Sequence, residues 1–219
     1  VVVRFMLASI ERLVCYLLAN NISLWLSESD AVWLRDPSDE VFNTKGDIVT
    51  MSDWKPPSQH PQGGFQLLNS SNATLNVWLK LLKQQTEAVN SFQAGDDMGN
   101  AGNEQDMMKS LITSDTDLHV AWLDPKHFLS GMYYFTPDYA AIAVEPKVIL
   151  NNFAVGNGAK ISRAKEHGHW FLNDDGTCDA NAAKILVPSL SEIETDESVV
   201  KKTADLQFME FLDVGSKNS

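Results

Sequence analysis

The chain has 219 residues, 44% of them apolar and 21% charged. That balance fits one folded α/β domain with a sizeable core and excludes a disordered chain. The formal net charge is −12, from 29 acidic and 17 basic residues; with no local basic patch to offset it, it argues against a nucleic-acid partner. An anionic small ligand would need a metal ion or a few placed Lys and Arg side chains.

From Phe5 to Leu18 the apolar residues Phe5, Met6, Leu7, Ile10, Leu13, Val14, Leu17 and Leu18 recur at helical spacing, and Asn20-Asn21 is a helix stop. Cys15 falls on that apolar face and reads as a buried thiol; with Cys178 it makes neither a disulfide framework nor a zinc site. Ile22 to Leu26 is a short apolar strand. Helix followed by strand suits a layered α/β fold with parallel strands. Gly46 to Met51 reads as a buried strand. "KPPSQHPQGG" (55–64) reads as a loop and "GGFQLLN" (63–69) as a strand entered from a glycine turn. Thr74 to Glu87 returns to helical period, with Leu75, Trp78, Leu79 and Leu82 on one face.

"QAGDDMGNAGN" (93–103) is a polar, Gly-rich loop, and "EQDMMKSLI" (104–112) begins a further helix. "LHVAWLDP" (118–125) is strand-like. "KVILNNFAVG" (147–156) is a strand running into a turn, and "AKISRAKEHGHW" (159–170) is a short basic helix stopping at Gly168. After Asp174 the chain turns acidic and loses pattern until "LQFMEFL", so residues 1–174 are expected to form the domain and 175–219 an acidic C-terminal tail. Sequons at Asn21, Asn69 and Asn72 permit a secretory location. No stretch is long enough to span a membrane. The chain begins at Val1, without Met or a signal peptide, and is expected to be a piece of a longer protein.

The chemistry concentrates in "SESDAVWLRDP" (27–37). In an extended chain residues i and i+2 face the same side, so Glu28 and Asp30 are expected to present two carboxylates together. Ligands of open α/β sheets sit at the carboxyl ends of strands. Two hard oxygen donors there suit Mg²⁺ or Mn²⁺ bridging to a diphosphate. The plainer alternative is a strand that ends in solvent. A phosphoaspartyl hydrolase also places D-x-D after a strand, but its first Asp is the nucleophile, and Glu28 would misplace the attacking oxygen.

The wider string resembles the "SDxDxVWLRDP" signature of the nucleotide-diphospho-sugar transferase family, which includes plant rhamnogalacturonan xylosyltransferases and extensin arabinosyltransferases. "GGFQLLN", "NEQDMM", "WLDPKHFLSG" and "ILNNFAVGNGAKISRAKEHGHW" are similar, in order, to further motifs of that family, so the resemblance covers residues 1 to 172. It implies a GT-A, Rossmann-like α/β fold with a mixed, mostly parallel sheet, incomplete here at the N-terminus. It also implies a nucleoside-diphosphate sugar donor, a UDP-sugar, and a glycan or glycoprotein acceptor. Transfer would be assisted by Mn²⁺ or Mg²⁺, with retained anomeric configuration. The family's setting is the Golgi lumen, with a membrane anchor only through a segment outside this chain.

Carried over residue by residue, the resemblance makes Asp30 a metal ligand, with Glu28 in the second acidic place toward metal or ribose. Trp33 reads as packing and Asp36 as a turn residue. Gly63 and Gly64 would let backbone approach sugar or acceptor, or simply make a turn. Gln105 and Asp106, beside Glu104, lie where the family contacts the donor sugar; helix capping is the alternative for these acids. Asn151, Asn152, Gly156 and Lys160 match the family's phosphate-side motif, with Arg163 and Lys165 sharing that task or standing in solvent. Two positions depart from the pattern: Glu28 replaces the usual Asp, and Leu150 replaces a His before the Asn pair. His167 and His169 are nearby in sequence but carry no ligand signature. Two readings stay open, a metal-dependent glycosyltransferase and a non-catalytic carbohydrate-binding or scaffold relative that lost the metal site.

Overall fold

A computed structural model describes residues 2–54, 60–91, 104–136 and 146–179. The expected loop at 93–103, the first part of the Pro-rich loop (55–59) and the tail beyond 179 lie outside the described residues. The chain divides into two compact units, Val1–Trp170 and Phe171–Ser219. In the second, Asp175 accepts from the Thr177 backbone at 2.9 Å, and the turn brings Leu172 into a bridge with Cys178.

The first unit runs α1 (Val2–Ala19), β1 (Leu24–Ser27), β2 (Ala31–Trp33), α2 (Ser38–Asn43), β3 (Ile48–Ser52), β4 (Pro61–Leu68), α3 (Asn72–Ser91), α4 (Glu104–Ser114), β5 (Val120–Trp122), β6 (Phe128–Leu129), α5 (Gly131–Tyr134), β7 (Val148–Leu150) and α6 (Asn157–Glu166). Among the described residues two sheets form, one in the order β1-β4-β3-β5 and one in the order β2-β7-β6. The α/β class and mixed sheets agree with expectation; the proportion differs. Among the described residues β1–β4, β3–β4 and β2–β7 are antiparallel, and only β3–β5 and β6–β7 are parallel. Strand β4 begins at Pro61, inside the stretch read as loop. Proline is tolerated as the first residue of a strand, where no ladder donor is lost.

Alternation along β3 and β4 builds two cores. Ile48 and Leu68 face α1, α3 and α4, joining Val14, Leu18, Val77, Trp78, Leu81, Met108 and Leu111. Val49, Met51, Phe65 and Leu67 face the second sheet, joining Phe128, Val148 and Leu150. A sheet covered on both faces reads as a continuous apolar run, which is why these strands were legible. The helix faces are turned slightly from expectation. In α1 the buried side carries Glu11, Val14, Cys15 and Leu18, while Ile10 and Leu13 are exposed. In α3 it carries Val77, Trp78 and Leu81, and Leu79 is exposed. Ser71 caps α3 by accepting from the Thr74 backbone at 3.1 Å.

Leu150 is fully buried in the second core, so the departure from His at this position serves packing. Trp33 stacks on Trp25 at 4.9 Å between centroids but stays 40% exposed, so it packs on one face only. Asp36 accepts from the Ser38 backbone at 2.9 Å at the start of α2, the turn role expected of it.

Candidate active site

The two acidic residues of "SESDAVW" lie in a turn, not on an extended strand. β1 ends at Ser27, and the Ala31 N–H donates to the Glu28 carbonyl at 3.1 Å. This corrects the expectation that strand pleating aligns the carboxylates. The turn is clamped at both ends: the Glu28 N–H donates to the Gly64 carbonyl at 2.8 Å, and the Asn151 N–H to the Asp30 carbonyl at 2.9 Å. The first bond extends the β1–β4 ladder and the second extends β2–β7, so the turn is the bridge between the two sheets. The carboxylates still come near one another. Burial pushes Glu28 above the usual carboxylate range, and the Asp30 charge adds to the rise. A Cβ on Gly64 would meet the Glu28 carboxylate at 2.6 Å, so a larger residue there would push the Glu28 side chain aside. Gly63 has no such constraint; its N–H donates to Gln105 Oε1 at 3.3 Å.

Helix α6 supplies the opposite wall. Gly156 caps it at φ 82°, a backbone shape that disfavours other residues. Lys160, in its first turn, donates to Asp30 Oδ2 at 2.6 Å. Among the described residues Asp30 Oδ1 is buried without a hydrogen-bond partner. Asn151 donates to the Lys160 carbonyl at 2.9 Å and accepts from Arg163 Nε at 2.8 Å, while Arg163 also donates to the Asn152 carbonyl. Arg163 thus fixes the Asn pair to α6, with its guanidinium 4.0 Å from the centre of the Phe135 ring. A cleft of about 480 Å³ is lined by Glu28, Ser29, Asp30, Asn157, Lys160 and Ile161.

A second group of residues centres on Asp53, which the sequence reading missed. This buried carboxylate accepts from Gln62 at 2.6 Å, Asn152 at 2.7 Å and Gln105 at 2.8 Å. The Gly131 N–H donates to Asn152 Oδ1 at 2.6 Å, and a Cβ on Gly131 would meet the Leu150 carbonyl at 2.9 Å. The one available signal was position: Asp53 directly follows β3.

Of the residues singled out, Glu28, Asp30 and Lys160 line the cleft, with Gly64, Asn151, Asn152 and Gly156 shaping its walls. Gln105 belongs to the Asp53 network. Asp106 is not among the cleft residues: its side chain is 67% exposed, stands 3.6 Å from His60 Nε2 and borders a separate cleft with Lys109 and Thr113. His167 and His169 pack against Phe135 and Tyr134, with ring centroids at 4.8 and 5.6 Å, and neither lines the cleft.

Two outcomes are expected. Asp53→Ala removes the shared acceptor of three side-chain amides, and a buried donor left unmatched costs about 1–3 kcal/mol. Urea unfolding should show a loss on the order of 3 kcal/mol or more; an unchanged midpoint would remove Asp53 from its structural role. The second concerns Glu11, which burial and then the Glu104 charge push from 4.5 up to about 8. A carboxyl protonated in the folded chain but ionised in the unfolded one makes stability fall as pH rises between those values. Buried His169 acts in the opposite sense below its ordinary 6.5. The melting temperature should therefore fall from pH 6.5 to 8 in the native chain and fall less in Glu11→Gln; equal slopes in both would contradict the assignment.

No helix among the described residues is long and apolar enough to cross a membrane. Neither a search of curated proteins nor one of solved structures gave a match. A family model described as nucleotide-diphospho-sugar transferase matches residues 6–164, a span that contains the turn, the Asp53 network and most of α6. The chain belongs to the nucleotide-diphospho-sugar transferase family.

Proposed function

We propose that this chain transfers a sugar from a UDP-sugar to a glycan or glycoprotein acceptor, with the diphosphate held between Asp30 and Lys160. The observation that carries this reading is the Asp30–Lys160 pair at the mouth of the cleft. A lysine and the first turn of a helix together suit a diphosphate, because the ammonium and the free backbone N–H groups both favour anionic oxygens. Lys160 is held at the lip by Asp30 and is close enough to turn toward a ligand entering there.

The residues present fit a divalent cation. Among the described residues Asp30 Oδ1 is a buried oxygen with no hydrogen-bond partner, and the Glu28 carboxylate is its neighbour. Among the described residues no three His, Cys, Asp or Glu side chains are grouped to hold a metal by themselves. Mg²⁺ and Mn²⁺ need no such cage, since they commonly take one or two carboxylates and complete their shell with water and substrate phosphates. Asp30, with Glu28, would hold the ion, which would supply positive charge against the diphosphate. Lys160 offsets charge on the departing nucleoside diphosphate. Gln105, fixed between Asp53 and Gly63, ties the start of β4 to α4. The family resemblance supports a retaining reaction in the Golgi lumen, and the sequons are compatible with that setting.

A second reading is a relative that binds carbohydrate without transferring it. The burial of Leu150 favours it, because the position that holds a His in the family pattern contributes only packing here. Release of UDP from UDP-xylose, UDP-arabinose and UDP-galactose in Mn²⁺ distinguishes the two. The transferase reading expects turnover of at least one donor, with a loss of about 100-fold or more in Asp30→Ala. Folded protein that turns over none of them would leave the binding relative, and an Asp30→Ala variant as active as the native chain would remove Asp30 from the donor site.

A further inference from the structure

At the end of the sheet away from the cleft, the sequons of Asn21, Asn69 and Asn72 meet in one corner. Strand β1 leaves this corner at Leu24, opposite Leu68, and reaches the cleft at Ser27, opposite Phe65. Asn21 lies in the turn before β1, Asn69 follows β4, and Asn72 opens α3. The Ser70 N–H donates to Ser23 Oγ at 2.9 Å, and Asn21 and Asn72 border one surface hollow with Leu18, Ser71 and Leu75. An N-linked glycan is bulky and sits on Asn Nδ2, so a folded chain keeps it only where that nitrogen faces solvent. The three asparagines differ in this respect.

Asn21 closes α1 in a left-handed conformation at φ 58°. Its N–H donates to the Leu18 carbonyl at 3.0 Å and the Ile22 N–H to the Leu17 carbonyl at 3.0 Å, the paired bonds of a Schellman cap. The backbone does the capping, and among the described residues the exposed Asn21 side chain makes no hydrogen bond. Asn72 is also exposed, at the first position of α3. Ser71 already caps that helix, so Asn72 has no capping task. Asn69 is half-buried. Its Nδ2 donates to the Gly46 carbonyl at 2.7 Å and its N–H to the Asp47 carbonyl at 2.9 Å, which ties the end of β4 to the approach to β3. A sugar on that nitrogen would have to fit beside Gly46, where even a Cβ would meet Ala121 Cβ at 2.9 Å. The sequon hydroxyls are engaged in the fold: Thr74 is buried and donates to the Asp47 carbonyl at 3.2 Å. Glycan transfer therefore precedes folding, when the three sequons are alike, and the fold then decides which glycosylated chains reach the native state.

We propose that the folded chain carries N-linked oligosaccharides on Asn21 and Asn72 and none on Asn69. The proposal rests on the lumenal setting of the transferase reading. In the transfer, a bond forms between Asn Nδ2 and C1 of the first sugar of a lipid-pyrophosphate-linked oligosaccharide. The bond from C1 to the pyrophosphate oxygen breaks, the lipid pyrophosphate leaves, and the displaced Nδ2 proton passes to a base. Both glycans then stand at the far end of β1 from Glu28 and leave the cleft open.

The full chain, expressed behind a secretion signal in a eukaryotic cell and purified from the medium as folded protein, tests this. Peptide N-glycosidase converts a glycosylated asparagine to aspartate, so peptide mapping after that treatment reads each site. The expected map shows conversion at Asn21 and Asn72 and none at Asn69. The intact mass should lose one glycan in Asn21→Gly, which keeps the left-handed cap, and one in Asn72→Gln. A glycan on Asn69 of the folded protein, or Asn21 or Asn72 left bare, would overturn the proposal. Failure here is separable from failure of the transferase reading. A bare chain that binds UDP with Mn²⁺ refutes only the glycan assignment, and a chain glycosylated as expected that binds no UDP refutes only the donor site.

Discussion

Asp53 is the group on which the site depends. Its two oxygens gather side-chain amides from β4, from α4 and from the segment after β7, three elements far apart in sequence. Asn152 passes the constraint on, since its own oxygen receives the Gly131 N–H and its carbonyl receives Arg163 of α6. The adjoining Asn151 then ties the Asp30 backbone to the Lys160 carbonyl. The cleft wall is therefore a continuous path of hydrogen bonds from one buried carboxylate to the turn between the two sheets. Charged acceptors make stronger hydrogen bonds than neutral ones, and a satisfied buried network rigidifies what it joins.

The electrostatics follow from a conflict. On the proposed reading a chain of charge −12 receives an anion beside Glu28 and Asp30. Lys160 resolves part of it by pairing with Asp30 at 2.6 Å, where the aspartate side chain is 16% exposed and the lysine 34%. A pair that sheltered is screened less than one in open solvent. On the proposed reading, a ligand that draws Lys160 away would leave Asp30 with two free oxygens for a cation. Arg163 is committed, held by Asn151 and Asn152.

Much of this was legible in the sequence where one physical period dominates. The buried strand at 48–52, the later part of the strand at 61–68 and the helices at 72–91 and 104–114 show apolar runs or helical spacing. What escaped was set by long-range contact. The spacing of Glu28 and Asp30 fits an extended strand and a turn equally, and only the ladders on either side select the turn. Asp53 follows β3 as a single acid ahead of a Pro-rich stretch, with no repeat to mark it, and its three partners are 9, 52 and 99 residues away. Glu11 was hidden for the opposite reason: it interrupts an apolar face that otherwise reads as core.

The central claim is that the Asp30–Lys160 cleft receives a metal-bound nucleoside diphosphate. Titration of UDP into the folded chain by calorimetry, with and without Mn²⁺, tests it most directly. The account predicts binding that Mn²⁺ tightens by about tenfold or more, as expected when a cation offsets acidic neighbours. UDP binding of equal strength without metal, or none in either condition, would contradict it.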